Sequence, residues 1–154
     1  MRLSSDMLGT AQAGLKLEDA AKALREAGLK ATPQRLAILR ALAGDQTHPT
    51  AQELYERLSV AFPGLSVATV YNTLAALTRV QRCRPLELGG PARFDPNVEP
   101  HDHAVCEQCG SIRDVHRAAA LQATAAVSGF HVQHVEMIYR GLCAACVERA
   151  SIGQ

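Results

Sequence analysis

The apolar positions of the first 80 residues fall at helical spacing. Leu17, Ala20, Ala21, Leu24 and Ala27 share one face of a helix that Gly28 ends. Thr32-Pro33 supplies a hydroxyl cap and a first-turn proline for a second helix, through Gln34–Ala43 to Gly44. Thr50 and Glu53 make a capping box for a third, with Leu54, Tyr55 and Leu58 on its apolar face. Phe62-Pro63-Gly64 breaks that helix, and Ser66 caps a fourth, VATVYNTLAALTRV. The period then changes. Cys83–Leu88 and Ala92–Asp95 flank Gly89-Gly90-Pro91, which predicts a β-hairpin. Asp95–Pro100, with two prolines, reads as a boundary. Beyond it the pattern predicts a short strand over Ser111–His116 and a helix over Ala118–Val127 closed by Gly129. A longer strand follows through Phe130, Val132, Val135, Met137 and Tyr139, with a slip in its alternation.

Short helices followed by a hairpin predict a winged helix-turn-helix, whose last helix enters the major groove while the wing reaches backbone or minor groove. The expected class is α+β. Residues 1–15 are a leader, 16–95 a winged-helix domain, 96–100 a hinge and 101–154 a small α/β domain. At 154 residues and 47% hydrophobic, the chain can form one ordinary domain or two small ones. No apolar run approaches the roughly 20 residues that span a bilayer, and the N-terminus has no signal-peptide core, so a cytoplasmic protein is expected. Residues 1–95 carry 12 Lys+Arg against 9 Asp+Glu, and residues 96–154 carry 4 against 6. That mild asymmetry permits nucleic-acid binding by the first half without demonstrating it.

Four of the five cysteines form two CxxC pairs, Cys106/Cys109 and Cys143/Cys146. Two such knuckles suit a closed, tetrahedral, structural Zn²⁺ site. A thioredoxin-type redox pair is disfavoured, because neither CxxC is expected to open a helix after a βαβ pattern. With the sulfurs committed, His101 and His103 occupy alternate positions of a possible strand and can point to one side. His48, before a proline at a helix entrance, and Asp95 and Asp114 are candidate further ligands. Mixed imidazole and carboxylate donors suit Fe²⁺, Mn²⁺ or Zn²⁺. Spacing alone leaves a second metal site and solvent-exposed histidines equally open.

H-D-H-A-V-C-E-Q-C-G, 101 to 110, resembles the metal-site segment of ferric uptake regulator (Fur) family repressors. So do G-L-K-A-T-P-Q-R at 28–35, H-P-T-A-Q-E-L-Y at 48–55, S-V-A-T-V-Y-N-T-L at 66–74, R-F-D at 93–95 and the closing C-A-A-C. The resemblance covers nearly all of the chain after residue 15. It implies a homodimeric winged-helix repressor on operator DNA, not an enzyme, with a C-terminal dimerisation domain. It implies a structural Cys₄ zinc and a regulatory Fe²⁺ or Mn²⁺ on His48, Asp95, His101, His103 and Asp114. Two of those, His48 and Asp95, belong to the DNA-binding half, so metal binding can select a DNA-competent arrangement.

Iron-uptake members usually carry Glu where this chain has Asp95 and Asp114, so both positions look like the peroxide-sensing (PerR) branch. A further site common in iron-uptake members falls here on Leu121 and Val135, which are not ligands, and His134 is one residue off. The branch implies that peroxide activated at bound iron oxidises His48 or His101 and releases DNA. Asp102 is expected to be solvated. Ser66, Ala68, Thr69, Tyr71, Asn72 and Thr73 are the expected exposed residues of the recognition helix. Tyr71 resembles the family's base-contacting tyrosine, while Arg79, Arg82 and Arg84 are candidates for phosphate. Thr69 can instead bond within its own helix, and Cys83 is expected to be a small buried residue. The competing readings are a repressor of iron, manganese or zinc homeostasis and, remotely, a zinc hydrolase or deaminase. The deaminase signature wants H-x-E and P-C-x-x-C, but residue 103 is His and no proline precedes Cys106.

Overall fold

The computed structural model describes residues 15–116, 129–132 and 135–152. The expected leader, the helix expected over Ala118–Val127 and the positions Leu121 and His134 lie wholly or almost wholly outside the described residues. The chain divides into two compact units after Asn97.

In the first unit, helices α1 (Leu17–Glu26), α2 (Pro33–Ala43), α3 (Ala51–Ser59) and α4 (Val67–Arg79) precede strands β1 (Arg84–Leu86) and β2 (Arg93–Asp95). The local signals act as expected. Thr32 Oγ1 accepts from Arg35 N, and Ser66 Oγ accepts from Thr69 N. The Thr50–Glu53 capping box closes in both directions, at 2.8 and 3.1 Å. Gly28 sits at φ 76°, the left-handed conformation in which a side chain is strained, and ends the α1 turn. Leu24, Ile38, Leu42, Leu54, Val70, Leu74 and Leu77 are buried together, with Cys83 and Phe94 closing the core from the hairpin side. The face of α1 is rotated from the expected one. Ala20, Ala23 and Leu24 are buried, whereas Leu17, in the first turn, is exposed.

The hairpin is antiparallel, with Arg84 opposite Asp95 and Leu86 opposite Arg93. β2 also touches the α3 entrance. Phe94 N donates to Pro49 O at 2.9 Å, and Thr50 bridges to Arg93.

The second unit contains β3 (Asp102–Cys106), β4 (Ile112–Val115), β5 (Ile138–Gly141) and α5 (Ala144–Ile152). The sheet order is β4-β3-β5, antiparallel on one side of β3 and parallel on the other. The long strand expected over 130–139 is corrected: among the described residues only Ile138–Gly141 pair. The ladder stops where its next donor is diverted: His103 N donates to Met137 O at 3.1 Å, but Met137 N goes to the Asp102 side-chain Oδ1 at 2.9 Å rather than to a β3 carbonyl. No helix among the described residues is long and apolar enough to cross a membrane.

Candidate metal centre

The four-sulfur cluster follows from strand register. β3 and β5 run parallel with Cys106 opposite Gly141, and each strand ends in a CxxC. The two pairs therefore arrive side by side. Cys106 and Gly110 close the first turn through Gly110 N to Cys106 O at 2.9 Å, with Gly110 at φ 71°. The second pair does open a helix, contrary to expectation: Val147 N donates to Cys143 O as α5 begins. No disulfide joins any of the five cysteines. All four sulfurs lie within 4.8 Å of one another, and the Cys109 and Cys143 sulfurs are 3.7 Å apart. A tetrahedron with metal–sulfur bonds near 2.3 Å has edges of about 3.8 Å, so the cluster has the size of a closed zinc site. The thiols are unequal. The Cys143 backbone N–H on Cys106 lowers that thiol to about 6, while burial raises Cys146 to about 11. Arg149 Nη2 donates to the Cys146 sulfur at 3.0 Å.

A second donor group lies in the same unit. His101 and His103 are two residues apart at the start of β3, and both are buried. Their Nε2 atoms are 3.0 Å apart. Asp114 is paired with His103 across β3 and β4, and its Oδ1 lies 3.5 Å from His101 Nε2 and 3.9 Å from His103 Nε2. His101 Nδ1 makes a 2.7 Å hydrogen bond with the Glu99 carbonyl oxygen, and His103 Nδ1 lies 2.7 Å from Glu136 Oε1, an ion-pair contact outside hydrogen-bond geometry. With protons on both Nδ1 atoms, two Nε2 lone pairs face each other, an arrangement that a shared cation relieves. Two nitrogen ligands at right angles on bonds near 2.1 Å stand about 3.0 Å apart, so the pair fits an open imidazole–carboxylate site.

Two neighbours of this group differ from expectation. Asp102 is not solvated: it is 1% exposed, and its Oδ1 accepts from Met137 N at 2.9 Å, tying β3 to the chain entering β5. Glu136 was not singled out from the sequence. Its only signal was the parallel pairing of β3 with β5, which the overlong strand expectation concealed.

In the first unit, His48 and Asp95 form a buried pair, with Nε2 3.8 Å from Oδ1. His48 has φ 54° immediately before Pro49, a backbone strain of order 1–3 kcal/mol for a residue with a side chain. Its carbonyl accepts from Arg93 Nη1 at 3.0 Å, and the same nitrogen lies 3.3 Å from the capping-box carboxylate of Glu53. The hairpin and the α3 cap thus hold the histidine loop together. Asp95 accepts from Asn97 N at 2.7 Å and from Arg84 Nη2 at 3.3 Å.

Of the expected DNA-facing residues on α4, Ser66, Ala68, Tyr71 and Asn72 are exposed and Thr69 is half-buried. Thr73 is corrected. It is fully buried and donates its hydroxyl to Thr69 O at 2.7 Å, because it shares the helix face of Val70, Leu74 and Leu77. Ser66 and Thr69 spend their hydroxyls on one another, 2.9 Å apart. Arg79 is exposed, Arg82 pairs with Glu26, and half-buried Arg84 pairs with Asp95.

Residues 26–140 match the ferric uptake regulator family, and the chain is a member of that family of metal-dependent transcriptional repressors. It is 41% identical over 138 residues to the peroxide-responsive repressor PerR of Staphylococcus saprophyticus, an overlap of 87% of this chain and 93% of that protein. The Helicobacter pylori ferric uptake regulator Fur superposes with a TM-score of 0.72 over 87% of this chain and 95% of its own, at 23% identity, a likeness of fold. A zinc uptake regulator complexed with zinc and DNA gives 0.65 at 26% identity, over 88% and 95% of the two chains.

Proposed function

We propose that this chain is a homodimeric, cytoplasmic repressor that binds operator DNA when metal-loaded and releases it on reaction with hydrogen peroxide. Cys106, Cys109, Cys143 and Cys146 would hold structural Zn²⁺. His48, Asp95, His101, His103 and Asp114 would hold Fe²⁺ or Mn²⁺ as the regulatory ion. The observation that carries the reading is the facing Nε2 pair of His101 and His103 beside an aspartate. The 41% identity to a peroxide-responsive repressor supports the choice of signal.

When bound, Fe²⁺ would supply the electrons that cleave the peroxide O–O bond, one oxygen leaving as water and the other passing to an imidazole carbon, which is oxidised by two electrons; Mn²⁺ would not. The chain's residues do the rest. Buried His48 and His101 are the rings that take up oxygen. His48 and Asp95 close the first unit's share of the site, and His101, His103 and Asp114 close the second's. Only five residues separate Asp95 from His101, so the two shares are tethered within about 20 Å, which keeps their effective concentration high. Oxidising one imidazole removes a ligand and with it the preference for the DNA-competent arrangement. Tyr71 and Asn72 face outward on α4 as base-contact candidates, with Ser66, Ala68, Thr69 and Arg79 around them. The apolar side chains that the second unit leaves exposed, Ile138, Tyr139, Leu142 and Val147, favour dimerisation.

The test uses duplex DNA selected from random sequence by the Mn²⁺-loaded protein. Protein loaded anaerobically with Fe²⁺ or Mn²⁺ is bound to that DNA and given low peroxide, and peptides containing His48 and His101 are weighed. Loss of DNA by the iron form alone, with one added oxygen on one of those peptides, is expected. An iron form that keeps its DNA and its unmodified histidines would replace this reading with a repressor of metal homeostasis.

A further inference from the structure

We propose that Glu136 is a positioning residue for the regulatory site: it holds the proton of His103 on Nδ1, so that Nε2 presents its lone pair to the metal. The inference rests on the reading of His103 as a ligand. Its observation is separate. Glu136 Oε1 lies 2.7 Å from Nδ1 of a histidine with no exposed surface, an ion-pair contact reached off the line of the Nδ1–H bond, so that a small turn of the carboxylate completes the hydrogen bond.

The two imidazoles are supported by different means. His101 Nδ1 rests against a backbone carbonyl two residues away, so its orientation is set by local chain geometry. His103 has a side-chain carboxylate that comes from 33 positions further along the chain. Glu136 stands just before β5, and the β3–β5 register sets its place. Asp102 reinforces that place by accepting from Met137 N, the residue after Glu136. Consecutive residues of β3 thus do paired work. Asp102 fastens the incoming chain, and His103 receives the carboxylate that the chain carries. A carboxylate behind an imidazole fixes its tautomer and raises its basicity as a ligand, and removing such a partner weakens metal binding about 10- to 100-fold. Aspartate at Asp114 and glutamate at Glu136 then have distinct tasks, one toward Nε2 and one toward Nδ1.

The experiment uses the full-length, zinc-containing protein without added Mn²⁺, at about pH 8. Imidazole nitrogens are read by long-range ¹H–¹⁵N correlation, and Mn²⁺ affinity is measured on the same preparations. In the wild type, His103 is expected to carry its proton on Nδ1 and a bare Nε2. Glu136→Ala should move the proton toward Nε2 and weaken Mn²⁺ binding about 10- to 100-fold. Glu136→Gln, whose carbonyl still accepts from Nδ1–H, should keep the tautomer and most of the affinity. A wild-type His103 protonated on Nε2 overturns the proposal, as does an alanine variant with unchanged tautomer and affinity. So does a glutamine variant that keeps the tautomer yet binds as weakly as the alanine one, since the tautomer would then not be what sets the affinity. If the wild type binds no Mn²⁺ beside its zinc, the metal-site reading fails, and the tautomers of the wild type and both variants still decide the Glu136 contact. Retained zinc and an unchanged melting temperature show that each variant folds, and the wild-type tautomer decides if alanine does not.

Discussion

Cys83 and Cys146 are both buried thiols, but only one has sulfur neighbours. Cys83 packs into the first unit's core, 3.4 Å from Thr78 Oγ1, and burial raises its pKa. The thiolate is the reactive form, so Cys83 should resist iodoacetamide at about pH 8 in the folded protein and react on denaturation. Rapid native-state labelling of the Cys83 peptide would contradict a purely structural role. Cys146, raised to about 11 in the metal-free chain, holds its proton at neutral pH, whereas Cys106, at about 6, has mostly lost its own. Zinc must therefore expel the Cys146 proton. Affinity should rise with pH by about tenfold per unit from this thiol between pH 7 and 8.5, and more steeply below about 6, where Cys106 also binds a proton. Competition with a chelator at several pH values checks this, and a flat profile would reject the assignment. Arg93 offers a third test. Arg93→Ala removes the donor to the His48 carbonyl and should weaken Mn²⁺ binding while leaving the zinc content unchanged, as metal analysis would show.

Helix α4 divides its residues between two tasks, and the helical period sets the division. Leu74 is fully buried, and Leu74→Ala should cost about 2–5 kcal/mol in denaturant unfolding. Tyr71 is 45% exposed, so Tyr71→Ala should leave stability within about 0.5 kcal/mol. Its DNA affinity should nevertheless fall about 5- to 150-fold, as for loss of one good base contact of about 1–3 kcal/mol. An alanine variant that binds the selected DNA normally would take Tyr71 off the interface. The caps, the hairpin and most of this helix were legible because local chemistry sets them. Thr73 was misread because polar character was taken for exposure. Its hydroxyl is satisfied within the helix, so the residue can sit on the core face at little cost.

The two units of the molecule differ in what holds them together. The first has a continuous apolar core, whereas Ile112, Cys106 and Cys146 are the buried apolar side chains of the second among its described residues. A unit of this size gains from a staple. Zinc removal by a strong chelator should thus cost the second unit its order first, and amide exchange should quicken in β3–β5 before α2–α4. Equal exchange throughout would show that the sulfurs are not the staple. The sequence by itself determined the four helices of the first unit, the hairpin, the paired cysteines and the candidate ligands, because caps, period and CxxC spacing act over a few neighbouring residues. Only the tertiary structure decided that Glu136 stands behind His103, that Asp102 is buried and that Arg84 faces Asp95. Those contacts are set by strand register, in which a shift of one residue turns each side chain to the other face.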